Sequence, residues 1–119
     1  MPQSLYKPGL HIVSTFLAPV ELLRDAVCCR ELFDGLIGEL GLMKVGEVYH
    51  SFPQGGYTAI VALTESHVSI HTWPEFGMAT FDVFLSSFMN DNTEKVRAFF
   101  DATVAGFRAT VTNRQEIMR

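Results

Sequence analysis

The chain has 119 residues, 48% of them apolar, with a formal net charge of -4 and a pI near 5.4. That length suits one domain with a real core, and an acidic balance with scattered Lys and Arg leaves no footprint for nucleic acid or an anionic membrane surface. No run reaches the roughly 18 apolar residues of a membrane span, and Met1-Pro2-Gln3-Ser4 lacks a charged-then-apolar secretion layout, so a cytoplasmic location is expected.

Residues 11–16 alternate His11, Val13 and Thr15 against Ile12, Ser14 and Phe16, the period of a strand. After Pro19, positions Leu22, Leu23, Ala26, Val27, Phe33, Leu36, Ile37 and Leu40 recur mostly at three and four residues, predicting one amphipathic helix that Gly41 stops. Gly35 and Gly38 inside it each cost about 1 kcal/mol relative to alanine, so the helix must be held by packing, most naturally against a sheet. Its adjacent Cys28 and Cys29 cannot join distant segments and read as reduced thiols in inert packing. Strand-like runs follow at 43–52, 57–63, 68–72 and 78–85, the first two joined by Pro53-Gln54-Gly55-Gly56 and all four reading as antiparallel. Asn92 or Thr93 caps a second helix with Val96, Phe99, Phe100 and Val104 on one face; Gly106 ends it before an alternating strand at 107–112. The expected fold is α+β, a single domain over 1–119. It is a two-layer sandwich in which two helices cover one face of a mostly antiparallel sheet and leave the other face free.

The segment Thr64-Glu65-Ser66-His67-Val68-Ser69-Ile70-His71-Thr72-Trp73-Pro74-Glu75 gathers two of the four histidines with hydroxyls and carboxylates beside an apolar strand. Period two puts His67, Ser69 and His71 on one side of that strand and Val68 and Ile70 on the other, so the polar stripe belongs to the open face. On an arbitrary strand such a stripe is a solvated surface. Glu65-Ser66, however, reads as a self-cleavage junction, because a serine hydroxyl pressed on its own preceding carbonyl can exchange the amide for an ester. His67, His71 and Glu75 as metal ligands are the weakest reading. The His-x-x-x-His spacing aligns ligands on a helix but spreads them along a strand, and no metal is expected.

The stretch resembles the bacterial and archaeal S-adenosylmethionine decarboxylases, whose proenzymes carry Glu-Ser-His-x-x-Ile-His-Thr-x-Pro-Glu here, and the likeness runs over nearly the whole chain. It implies a proenzyme severed between Glu65 and Ser66 into chains 1–65 and 66–119. The Ser66 hydroxyl attacks the Glu65 carbonyl. His71 stands at the processing base, suited by an imidazole that is neutral in the cytosol, and Thr58 occupies the place of a serine that supports the intermediate. Elimination and loss of ammonia then turn residue 66 into a pyruvoyl cofactor made from Ser66. The resemblance further implies a substrate Schiff base on that ketone, which takes up the electrons as carbon dioxide leaves. It places Phe52 on the adenine and Glu75 on the ribose hydroxyls. One residue departs: Ser86 fills the position of the family's proton-donating cysteine, and an alcohol is a far weaker acid than a thiol titrating near about 8.5. Decarboxylation of S-adenosylmethionine for spermidine synthesis is therefore weighed against two other readings, an arginine or ornithine decarboxylase and a non-catalytic partner subunit that stays uncleaved. Trp73 reads as a pin at the strand end, and Asp82 either pairs with a basic side chain or recognises a substrate amine.

Ser66 and His71 have opposite parity and lie roughly 16 Å apart along a straight strand. Either the chain bends sharply at Glu65-Ser66 or the His71 of a second copy completes the site. The family's small members are dimers built around their sheets, so a homodimer acting on a small amino-acid-type substrate is expected, with a two-fold interface covering the open face.

Overall fold

Period-two alternation becomes six strands, β1 (Leu10–Leu17), β2 (Lys44–Ser51), β3 (Tyr57–Leu63), β4 (Ser66–Trp73), β5 (Met78–Leu85) and β6 (Thr110–Met118), in a computed structural model that describes residues 6–88 and 90–119. They form one sheet of order β2-β3-β4-β5-β1-β6 in which every neighbouring pair is antiparallel. Three helices, α1 (Val20–Leu23), α2 (Ala26–Glu39) and α3 (Thr93–Gly106), accompany it, and a short 3-10 turn at Pro74–Phe76 links β4 to β5. The α+β sandwich stands as the sequence predicts.

Three boundaries differ, each for a local reason. The single helix expected after Pro19 breaks at Arg24-Asp25, because the Asp25 side chain accepts the Cys28 N–H at 3.0 Å and starts a new helix, α2. The break leaves Cys29, Phe33, Leu36 and Ile37 buried but turns Val27 and Cys28 outward, so neither belongs to the packed stripe. Burial pushes the Cys29 thiol up to about 12, which keeps it protonated and inert. At the end of α3 it is Arg108, at φ 50°, that takes the left-handed position, and Ala109 N–H closes back on the Val104 carbonyl at 2.9 Å. Phe107 is consequently a helix cap with its ring in the core, and the last strand starts at Thr110 rather than 107. β4, by contrast, begins two residues early, at Ser66 itself.

Between sheet and helices the core is aromatic: Phe33 lies 6.0 Å from Phe81 and 5.5 Å from Phe99, and Phe81 lies 6.0 Å from Phe100, centroid to centroid. Val68 and Ile70 are fully buried on this side, as their parity requires. On the far side the register aligns rows across the strands: His50, Thr58, His71, Thr80 and Thr15; Val48, Ile60, Ser69, Asp82 and Val13; Ala62, His67, Phe84, His11 and Ile117. No helix among the described residues covers these rows. Replacing Phe81, at the centre of the aromatic cluster, by alanine is expected to cost about 3–5 kcal/mol of stability, and Asp25→Ala about 1 kcal/mol; urea unfolding midpoints measure both.

Candidate active site

β3 and β4 are joined by Thr64 and Glu65 alone, with Leu63 paired to Ser66 across the turn. The favoured two-residue hairpin turns place positive φ at their central residues and recruit glycine or asparagine. This one has neither. Ser66 itself takes a positive φ of 144°, a conformation that costs energy in any residue with a Cβ. The peptide carbonyl just before it, that of Glu65, accepts the Ser86 backbone N–H at 2.7 Å. Ser86 follows the end of β5, so the bond extends the β4–β5 ladder past its last pair, Ser66 with Leu85. Two further residues fix this corner. Asn92, 1% exposed, donates from Nδ2 to the Glu65 carboxylate and to the Ser86 carbonyl, both at 2.8 Å. Gly9 lies so close beneath that a Cβ there would stand 2.3 Å from the Leu85 carbonyl oxygen and 2.8 Å from Ser86 Cα.

The other expected residues gather at the opposite end of the hairpin. Thr58 pairs with His71 across β3 and β4, and Thr58 Oγ1 lies 3.0 Å from His71 Nδ1. Phe52, Thr58, His71, Trp73 and Glu75 line an open groove of about 410 Å³, within the range of small-molecule sites. Trp73 does more than pin the strand: it is 37% exposed, forms part of the groove wall, and its ring centroid is 6.2 Å from that of His71. The chain does turn sharply at Thr64-Glu65, but the turn only starts β4 and leaves His71 at its far end. The chain thus holds two separate clusters, the corner of Glu65, Ser66 and Ser86 and the groove of Phe52, Thr58, His71 and Glu75.

Between them lies a polar network. Asp82 Oδ2 accepts from His11 Nε2 at 2.7 Å and from His67 Nε2 at 3.0 Å, while Oδ1 accepts the Ser69 hydroxyl. Arg119 is 3.2 Å from His11 Nδ1. Arginine can only donate, so the His11 proton sits on Nε2 and points at Asp82. His11, His67 and Asp82 each bring a ligand-type atom within 4.8 Å of the others, yet this proton and the guanidinium behind it make the cluster a closed hydrogen-bond network. His67 and His71 therefore have separate partners, Asp82 and Thr58, and do not converge with Glu75. Of the two roles open to Asp82, the pairing with basic side chains is the one found. His11, Asn92 and Gly9 escaped the sequence reading. His11 showed only as a polar residue on the open face of β1, and nothing in the chain pointed from Asn92 or Gly9 to residue 86.

A sequence profile of the S-adenosylmethionine decarboxylase family matches residues 10–119. The chain belongs to the S-adenosylmethionine decarboxylase family. It is 36% identical over 101 residues to the S-adenosylmethionine decarboxylase proenzyme of Archaeoglobus fulgidus, covering 84% of this chain and 87% of that one. With the proenzyme of Aquifex aeolicus it shares 40% identity over 80 residues, 64% of this chain and 57% of the relative. The crystal structure of the adenosylmethionine decarboxylase from Aquifex aeolicus superposes with a TM-score of 0.84 at 29% identity, covering 96% of this chain and 92% of that one. A decarboxylase family is a family of carboxy-lyases. No helix among the described residues is long and apolar enough to cross a membrane.

Burial opposes charging Asp82, but the donors Ser69, His11 and His67 outweigh it and hold its carboxyl below the usual carboxylate range. A lowered folded-state pKa means stabilisation that is complete above the unfolded value of about 3.9 and is lost as pH falls through the folded one. The thermal-stability gap between the native chain and Asp82→Asn should accordingly be widest above that window and close as the pH drops below it, as read by melting curves along a pH series.

Proposed function

We propose that this chain is the proenzyme of a pyruvoyl-dependent S-adenosylmethionine decarboxylase of spermidine biosynthesis, working as a homodimer in the cytoplasm. The observation that carries the reading is the state of Ser66: a strained serine whose preceding carbonyl is already held by a backbone N–H. The Ser66 hydroxyl adds to the Glu65 carbonyl carbon, and the negative charge that develops on its oxygen falls on the Ser86 N–H. Collapse with departure of the Ser66 nitrogen, which takes up the hydroxyl proton, gives an ester. A neutral imidazole then removes the Ser66 α-proton, the ester C–O bond breaks, and residue 65 leaves with a new main-chain carboxylate while dehydroalanine remains at residue 66. Addition of water and loss of ammonia complete the change at residue 66. Backbone strain at Ser66 favours the first step, since exchanging the 65–66 peptide bond for the ester releases it.

His71 fits the role of base, and Thr58, bonded to its Nδ1, fixes the ring. Both belong to the groove half-site, roughly 16 Å along β4 from Ser66. A two-fold axis near the Ser69 and Asp82 row, with two open faces packed together, would bring the Ser66 end of one copy onto the His71 end of the other. The exposed Val48, Ile60, Trp73, Leu17 and Ile117 on that face favour such a cover over solvent.

After processing, a pyruvoyl ketone at residue 66 would supply an electron sink for the bond broken as carbon dioxide leaves. The groove residues would do the binding. Phe52 and Trp73 offer aromatic surface for a purine and Glu75 a carboxylate for ribose hydroxyls, features that a bare amino acid such as arginine or ornithine would not use. This favours S-adenosylmethionine. Ser86 supports the second reading, a decarboxylase of arginine or ornithine, because without a thiol its hydroxyl can only relay a proton from water to the product carbon.

Purified protein is expected to resolve into fragments 1–65 and 66–119 by mass spectrometry, and Ser66→Ala to stay whole; a native chain that stays whole speaks for the uncleaved-partner reading. Labelled S-adenosylmethionine should release carbon dioxide, and arginine and ornithine should not. For the shared site, co-expression of Ser66→Ala and His71→Ala chains should cleave about half of the His71→Ala chains, the fraction held in mixed pairs by random two-fold association. His71→Ala alone should remain uncut.

A further inference from the structure

At the start of α3 the sequence asks Asn92 to be a helix cap, and the structure uses it for something else. Asn92 occupies the cap position but makes no side-chain bond to the helix. The exposed Asp91 beside it takes the Thr93 N–H at 3.0 Å instead. The Asn92 carboxamide is turned into the protein, where both contacts of its NH2 group are acceptor oxygens, the Glu65 carboxylate and the Ser86 carbonyl. That fixes its orientation, since only the nitrogen can donate. One buried amide therefore bridges the two residues whose backbones meet at the Ser86 N–H to Glu65 carbonyl bond.

We propose that Asn92 is a positioning residue for self-cleavage, clamping Glu65 to Ser86 so that the backbone N–H of residue 86 stays aimed at the carbonyl under attack. The inference rests on the self-processing reading above and adds to it a residue that touches no reacting atom. Its physical basis is the geometry of oxyanion stabilisation: a donor helps only while it stays about 2.7–3.1 Å from the oxygen that becomes charged. The Ser86 N–H is at 2.7 Å before any reaction. Asn92 donates at 2.8 Å to the Glu65 side chain on one side and to the Ser86 carbonyl on the other, so drift of either residue must break a hydrogen bond from the Asn92 amide. An error of about 1 Å in such a placement costs on the order of 100-fold in rate.

The test follows the rate of chain cleavage after refolding of the full-length protein, with melting curves and native mass recorded for every variant. Asn92→Ala should remain folded at the assay temperature and cleave about 100-fold more slowly. Hydroxylamine should trap less ester, because the first step is the one affected. Asn92→Asp places a second acceptor against two acceptors and should be at least as slow. Adding Glu65→Gln to it restores a donor–acceptor pair between positions 65 and 92, and this double variant should recover about tenfold or more over Asn92→Asp alone, a non-additivity that reports contact. A role confined to holding α3 in place would follow the melting temperatures and show no such rescue. Asn92→Ala cleaving at the native rate, or a double variant as slow as Asn92→Asp, overturns the proposal while leaving the self-processing reading intact. A native chain that never cleaves overturns both.

Discussion

The register of the β3–β4 hairpin is the constraint on which the rest depends. Because Leu63 pairs with Ser66 across Thr64 and Glu65 alone, the chain must reverse in two residues with no glycine to absorb the turn. The cost appears at Ser66, as a backbone angle that serine seldom adopts. The same register puts Thr58 opposite His71 at the other end, so the Ser66 hydroxyl and the His71 imidazole are kept apart within one chain. Strain at one end and a ready groove at the other are thus two outcomes of a single pairing.

What surrounds the junction is main chain and buried amide rather than a catalytic side chain. The Ser86 N–H meets the Glu65 carbonyl regardless of which side chain residue 86 carries. On the proposed processing reading, a serine side chain at residue 86 leaves this backbone contact as it was and bears only on what residue 86 would offer a bound substrate. In that proposal the two chemistries are separable at this position, with the backbone assigned to the first and the side chain to the second. Gly9 supports the same corner, since only a residue without Cβ fits against Leu85 and Ser86 there.

The centre of the open face is neither a groove nor a packed core. Asp82 gathers His11, His67 and Ser69, and Arg119 closes the row from behind. A buried or half-buried carboxylate is tolerable only when such donors surround it. The network also keeps the His67 ring, one residue beyond the junction, tied across to β5 and β1.

The sequence by itself determined the sheet and the faces of its strands, and it named Ser66 and His71 as the residues proposed to react. Strand alternation and the ordered Glu-Ser-His to Pro-Glu motif are local patterns, and local patterns survive in one dimension: Val68 and Ile70 went inward, and His67, Ser69 and His71 outward, as a period of two dictates. The motif also led to Phe52, Thr58 and Glu75 in one groove. Tertiary structure alone decided which residues far apart in the chain would meet. The break at Asp25 and the cap at Arg108 came from single side-chain and backbone bonds that periodicity averages over. Asn92 read as a helix cap because capping depends on near neighbours, and it became a clamp because α3 begins beside the end of β5. That meeting spans 27 residues of chain to Glu65, a separation at which no spacing rule carries information and only the folded sheet sets the distance.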